Sequence, residues 1–149
     1  MQLIRRTLIA TAVAATAAAA CGTAFAQAKE VKLGYALAVN SHYGAAAQAW
    51  ADTAEKGTNG AYKFKQFASS ALGGERELIE GLQLGTVEAA IVSTGALSNF
   101  VSDVGVVDIP FLFRDTKHAR AVMDGAFGQG LLAKFQKRGL VALAWGEQG

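Results

Sequence analysis

The sequence predicts an α/β fold in which an open, mostly parallel sheet is flanked by helices. From residue 31 onward, segments with the two-residue period of strands alternate with segments of helical period. Residues 89–92 (AAIV) are apolar at every position, which is typical of a strand covered on both faces of a parallel sheet. Glycines and hydroxyl residues separate the segments, as expected of turns. Together these observations favour one layered α/β unit.

The first elements follow from local patterns. Residues 31–37 alternate large apolar side chains with small or charged ones, which predicts a strand. Ser41 is placed to cap a helix that runs to Gly57. Residues 62–67 predict a second strand. The next helix begins with acidic residues, which suit the positive end of a helix dipole, and should end near Gly85.

The later elements are less regular. A polar turn at 93–95 (STG) follows the third strand. Beyond a loop region, Asp115 or Thr116 can cap a further helix, and a last set of helical turns should stop at Gly139. Residues 140–145 (LVALAW) predict a final strand.

The first 26 residues predict a cleavable secretory signal peptide. Arg5 and Arg6 precede an apolar run, and small residues end at Ala26. Two alternatives stay open at this point: a twin-arginine signal, and lipid attachment at Cys21. Residues 27–149 would then form the mature protein, in the periplasm.

Composition limits the function of the mature chain. Arg5 and Arg6 are two of the 14 basic residues, so the remaining 12 balance the 12 acidic residues, and no basic surface for nucleic acid is expected. Cys21 is the only cysteine, which excludes disulfides and cysteine-bound metal after cleavage. The length suits a single domain.

Ligands of open α/β sheets bind outside the carboxyl ends of the strands. These ends are rich in hydroxyl and glycine residues, whose backbone N–H groups at helix starts suit anions. Ser93 and Thr94 are the best ligand candidates, and His42 is either a cleft contact or a surface residue. The carboxylates of Glu75, Glu77 and Glu80 are interpreted as a solvated helix face. No nucleotide motif or nucleophile elbow is present, so no catalytic residue, metal or cofactor is predicted.

Three long segments carry a family resemblance: 69–100, 106–125 and 137–149. Their main motifs are the LGGE turn, the QLG helix end, the PFLF patch and the WGE segment near the chain end. In order and spacing they resemble the extracytoplasmic solute-binding subunits of TRAP transporters, the C4-dicarboxylate-binding (DctP) family.

The resemblance implies a periplasmic, non-enzymatic receptor with two α/β lobes that close on an organic acid. Integral membrane subunits would then take up the acid with a sodium gradient. Members are considerably longer than this chain, so residues 27–149 are expected to form the N-terminal lobe. The second lobe, with the arginine that grips the substrate carboxylate, would lie beyond Gly149.

The predicted ligand contacts come from four parts of the lobe. Pro110 suits an irregular crossover, and the apolar residues after it are expected to divide between the core and the cleft floor. Three alternatives to a TRAP receptor stay open: the input domain of a sensor, a binding protein of another transporter class, and a secreted enzyme fragment that uses His42 or a glutamate. The predicted contacts are Asn40, Ser41, His42, Ser93, Thr94, Phe111 and Glu147.

Overall fold

The structure is a computed structural model that describes residues 27–147. The predicted signal peptide and Cys21 lie outside the described residues, as do residues 148–149. Strands and helices alternate as predicted over the first part of this range, and the second part is mainly helical. In chain order the elements are β1 (Lys29–Tyr35), α1 (His42–Gly57), β2 (Tyr62–Phe67), α2 (Glu75–Leu84), β3 (Ala89–Ile91), α3 (Thr94–Leu97), a 3-10 helix (Ser102–Asp108), α4 (Thr116–Met123), α5 (Ala126–Lys134) and a second 3-10 helix (Phe135–Arg138).

The three strands form one parallel sheet in the order β2-β1-β3. Leu33 in the central strand pairs with Gln66 on one side and Ala89 on the other. Parallel neighbours need a crossover connection, which α1 and α2 supply. The carboxyl ends of all three strands therefore meet at one edge of the sheet, as the fold class required.

The two faces of β1 carry different side chains because strand residues alternate. Val31, Leu33 and Tyr35 are buried in a cluster with Tyr43 and Ala47 of α1. On the opposite face, Gly34 lets α2 approach closely. A Cβ at Gly34 would lie 2.5 Å from Leu78 Cδ2, so a larger residue would push α2 away from the sheet.

A second hydrophobic cluster lies in the helical part of the chain. It is formed from helices and connecting segments, with Val92 just after β3 as its contribution from the sheet side. Trp145 packs against it, and Trp50 packs against the first cluster. Both tryptophans are therefore partly buried and pack against the core, in line with the prediction of a packing role. The buried members of the second cluster are Ile79, Val101, Val104, Phe135 and Leu140.

The predicted strand at 140–145 is wrong. Among the residues that the structure describes, this segment pairs with no strand. Leu140, Ala142 and Trp145 pack against the second cluster, but Val141 and Leu143 are 75% and 65% exposed. The alternating pattern is present, yet a strand also needs a neighbour to complete its hydrogen bonds.

The predicted helix ends are confirmed at several positions. Ser41 caps α1 by accepting a hydrogen bond from the Gly44 N–H, and Asp115 caps α4. Gly85 and Gly139 end their helices in the left-handed conformation. The helices are short: within residues 27–147, none combines the length and apolar character that a bilayer span requires.

Candidate functional site

Three helices begin at the carboxyl edge of the sheet. α1 follows β1, α2 follows β2, and α3 follows β3 after two residues. The turn predicted at 93–95 is the start of α3, with Ser93 as its N-cap. The hydroxyl of Ser93 accepts a hydrogen bond from the Ala96 N–H at 3.3 Å. Ser93 therefore lies where ligands of open α/β sheets bind.

Glu75, the first residue of α2, binds Ser93 with both carboxylate oxygens. The Ser93 backbone N–H donates to Glu75 Oε1 at 2.9 Å, and the Ser93 hydroxyl donates to Oε2. The Tyr43 hydroxyl of α1 donates to Oε1 at 3.4 Å. One carboxylate thus connects the first turns of all three helices. We call Tyr43, Glu75 and Ser93 the carboxylate network.

The carboxylate network changes the interpretation of the acidic residues. Arg76 and Glu80 form an exposed ion pair, and Glu77 is exposed, so the solvated-face interpretation is correct for Glu77 and Glu80. It is wrong for Glu75, which is half-buried and bonded to Ser93. The available signal was its position directly after the glycine turn that ends β2.

Thr94 also has a carboxylate partner. Its hydroxyl donates to Asp108 at the end of the first 3-10 helix. This bond ties the segment that precedes Pro110 to the start of α3. Phe111 lies just beyond, and its side chain is fully exposed at 101%. Of the apolar residues after Pro110, Phe111 therefore does not belong to the lobe core, and its predicted contact with a ligand stays a prediction.

Asn40 and Ser41 line a separate concavity. A cavity of about 260 Å³ lies beside the first turn of α1, and Gln48 and Gln66 complete its polar wall. Ser93 is not among its lining residues. The adjacent His42 is exposed, with its ring 4.8 Å from that of Tyr43. His42 thus contacts Tyr43, which is a member of the carboxylate network.

Glu147 lies in a different environment. Its carboxylate accepts hydrogen bonds from the Arg120 guanidinium on α4. His118, two residues earlier on α4, accepts a hydrogen bond from the Arg114 N–H through Nδ1. The structure therefore joins Ser93 to the α1 start, but it places Glu147 in an ion pair with α4.

The loop after β2 completes the rim. Ser69 and Ser70 have φ values of 54° and 58°, in the left-handed region that side chains other than glycine rarely occupy. Their backbone N–H groups donate to the carbonyls of Leu37 and Tyr35, at 2.8 and 3.2 Å. Such strained residues persist where surrounding contacts hold them, and they are frequent at binding sites.

Metal binding has no support in this geometry. Within the described range 27–147, His, Cys, Asp and Glu side chains form no group of three that could hold an ion. The carboxylate of Glu75 instead accepts three hydrogen bonds, from the Ser93 N–H, the Ser93 hydroxyl and the Tyr43 hydroxyl. What the edge offers a ligand is hydrogen-bonding groups at three helix starts.

Comparison with known proteins gives a consistent result. Residues 33–149 match the family model for DctP, described as bacterial extracellular solute-binding protein, family 7. A curated relative from Verminephrobacter eiseniae, named solute-binding protein, is 48% identical over 119 residues, covering 80% of this chain and 36% of the relative.

Two solved structures are more similar in sequence. A TRAP periplasmic solute binding protein from Bordetella bronchispeptica, with density assigned to pantoate, is 62% identical, with a TM-score of 0.79. One from Polaromonas sp. JS666, bound to D-erythronate, is 56% identical, with a TM-score of 0.78. Each alignment covers 81% of this chain and 40% of the solved chain.

The chain thus spans about two-fifths of the length of these relatives. Residues 33–149, which match the family model, contain most of the sheet, the carboxylate network and the second cluster. The resemblance found in the sequence is confirmed, since the family model covers most of the chain. This chain belongs to family 7 of the bacterial extracellular solute-binding proteins, the DctP family of TRAP solute receptors.

Proposed function

We propose that this chain forms the N-terminal lobe of a periplasmic receptor for a small hydroxylated carboxylic acid. The observation that carries the proposal is the Glu75 carboxylate at the carboxyl edge of the sheet. Ser93 and Thr94 contact the ligand beside it, and Asn40, Ser41 and His42 form the rim on the α1 side. Glu147 has no assigned ligand contact because Arg120 binds its carboxylate.

The charge of Glu75 determines which end of a ligand this lobe accepts. Ser93 directs its N–H and its hydroxyl proton toward Glu75, so neither is free for an anion. A ligand carboxylate placed here would face a like charge, which is unfavourable in a partly dry cleft. A ligand hydroxyl, in contrast, can donate to a remaining lone pair of Glu75. This lobe therefore binds the hydroxyl-bearing end of the acid.

The ligands of the similar structures agree with this chemistry. D-Erythronate and pantoate are both small monocarboxylic acids that carry hydroxyl groups. A C4-dicarboxylate such as succinate has no hydroxyl to donate to Glu75. We therefore favour a hydroxy acid over an unsubstituted dicarboxylate.

Location and partners follow from the family. The predicted signal peptide at residues 1–26 would direct export to the periplasm, where integral membrane subunits of a TRAP transporter would accept the ligand. Binding without turnover is the expected chemistry, because Ser93 donates its proton to a carboxylate rather than to a histidine base.

The test uses the 149-residue chain and a joined protein. In the joined protein, the part of the Bordetella relative that follows the matched region is attached after Gly149. Thermal-shift and calorimetric titrations with D-erythronate, pantoate and succinate compare the two. We expect the hydroxy acids to bind the joined protein, and the chain alone to bind weakly, since one solvated contact is worth on the order of 1 kcal/mol.

Substitutions then test the contribution of this lobe. Glu75→Gln in the joined protein should weaken hydroxy acid binding roughly 10- to 100-fold, the effect of losing a charged acceptor of about 1.5–3 kcal/mol. Glu77→Gln, on the same helical turn, is the matched control and should leave affinity unchanged. Equal affinity of the Glu75→Gln variant, tighter binding of succinate, or turnover of the acid seen by NMR would contradict the proposal.

A further inference from the structure

Residues 109–112 (IPFL), which we call the apolar tip, present a concentrated apolar surface. Phe111 is fully exposed, and Ile109 and Leu112 are 52% and 38% exposed. Single exposed apolar residues are common on soluble proteins, but adjacent large ones mark an interaction site. The tip follows the 3-10 helix in which Val106 is also exposed.

The backbone of the tip is a tight turn whose third position suits glycine. The Leu112 N–H donates to the Ile109 carbonyl at 3.2 Å, with Pro110 and Phe111 between them. Phe111 has a φ of +60°. Proline second and a positive φ third is the pattern of a type II turn, in which glycine or asparagine normally occupies the third position. A phenylalanine there is unfavourable for the turn itself, so local stability does not account for it.

The tip is anchored at both ends. Before it, Asp108 accepts a hydrogen bond from Thr94 beside the carboxylate network. After it, the Phe113 ring lies 5.9 Å from the His118 ring, and the Arg114 N–H donates to His118 Nδ1. Contacts on both sides therefore hold the turn that exposes the Phe111 side chain in place.

The relatives indicate what covers this surface. The chain accounts for 40% of the length of the solved relatives, so three-fifths of such a protein lies outside the matched part. The tip begins one residue after Asp108, so a second lobe that closes over Ser93 would meet it.

We propose that the apolar tip forms an interface with the remaining part of the longer protein, and that Phe111 is the central contact of this interface. The proposal rests on family membership and on the tip itself, and it does not depend on which acid is bound. The contact would place Phe111 in an apolar recess of the second lobe. The left-handed φ of Phe111 is then a local conformational strain that accompanies the exposure of this ring.

The experiment measures whether position 111 becomes protected. Phe111→Cys is made in a Cys21→Ser background, which leaves one thiol because Cys21 is the only native cysteine. Its reaction rate with a thiol reagent is compared between the full chain and the joined protein, with the added part free of cysteine and no ligand present. We expect labelling in the joined protein to be slowed at least about tenfold, as for a site that reacts only after local opening.

The matched control is Leu84→Cys. Leu84 is 78% exposed at the end of α2, at the opposite edge of the sheet from Ser93. It should react rapidly in both proteins. Equal labelling rates of Phe111→Cys in the two proteins, or equal slowing of Leu84→Cys, would overturn the proposal. If the Phe111→Cys thiol is already protected in the chain alone, and dilution removes that protection, the tip binds a second copy of the chain instead.

A second variant gives a result of opposite sign in the two proteins. Phe111→Gly relieves the left-handed conformation, so it should leave unchanged or raise the midpoint of thermal unfolding of the chain alone. In the joined protein it removes the anchor and should lower that midpoint. A rise in both proteins would overturn the interface, whatever the outcome of the acid titrations.

Discussion

The two parts of the described chain differ in how completely they bury their apolar residues. Residues 27–92 contain the whole sheet and α1 and α2, and they leave four large apolar side chains exposed. Residues 93–147 are shorter, yet they leave seven exposed. Those seven are Val106, Ile109, Phe111, Leu112, Phe127, Val141 and Leu143.

The difference follows from the sheet. In the first part, every strand of the sheet has a neighbour and α1 covers one face, so alternation buries side chains efficiently. In the second part, segment 140–145 is as apolar as a buried strand, but it has no strand partner among the described residues. An apolar pattern is buried only when another element is present to cover it. The second part is therefore the one in which the described chain leaves more large apolar side chains uncovered.

The largest expected effect is a leucine truncation in the first part. Leu33 is fully buried in the central strand, so Leu33→Ala should lower the free energy of unfolding by about 2–5 kcal/mol. Leu143→Ala is the counterpart in the second part, where the side chain is 65% exposed, and it should cost less than about 0.5 kcal/mol. Urea unfolding followed by circular dichroism measures both. Similar losses for the two variants would remove the contrast between the parts.

A smaller effect is expected from one glycine in each part. A Cβ at Gly44 would lie 1.9 Å from the Val39 carbonyl oxygen, and one at Gly128 would lie 1.8 Å from that of Met123. Backbone atoms cannot rotate away, so Gly44→Ala and Gly128→Ala should each cost about 1–3 kcal/mol or more. Gly130→Ala, which has open space around it, should be neutral or stabilising.

Fluorescence shows which part each alanine disturbs. Trp50 packs on the first cluster and Trp145 on the second, so variants that keep a single tryptophan report the two parts separately. Gly128→Ala should shift the unfolding of the Trp145 signal first, and Gly44→Ala that of Trp50. One shared transition for both signals in both variants would show that the parts unfold as a single unit.

The smallest effect concerns alkaline pH and the first cluster. Burial raises the pKa of the Tyr35 phenol above its ordinary value of about 10, and the phenol donates to Gln66 at 2.8 Å. Because the folded pKa lies above the unfolded one, the stabilisation is fully present below pH 10 and is lost as the pH rises through the folded value. Tyr35→Phe should therefore flatten the loss of stability above pH 10. An unchanged alkaline slope in unfolding experiments would contradict this.

Local patterns predicted most of the first part correctly. β1 begins and ends two residues earlier than the strand predicted at 31–37. The strand predicted at 62–67 matches β2. Ser41, Asp115, Gly85 and the helix starts were predictable because capping is a local hydrogen-bonding choice. The placement of Ser93 at the carboxyl edge also followed from its position directly after the third predicted strand.

The site itself was only partly predictable. Glu75 and Ser93 are 18 residues apart, and their hydrogen bonds exist because two crossovers bring α2 and α3 to the same edge. Nothing in the spacing of Glu75, Glu77 and Glu80 separates the bonded residue from the exposed ones. The Arg120 and Glu147 pair is a comparable long-range contact, whereas the position of Glu147 in the sequence predicts a ligand contact.

The sequence by itself determined the fold class, the helix caps, the family and which residues lie at the carboxyl edge of the sheet, where ligands of open α/β sheets bind. These follow from periodicity, capping residues and turn glycines, which act over a few residues. Only the tertiary structure decided that Glu75 holds Ser93, that Phe111 is exposed on an anchored turn, and that 140–145 forms no strand. Each of these depends on which distant groups come together, and hydrogen-bond partners and burial are properties of the assembled chain.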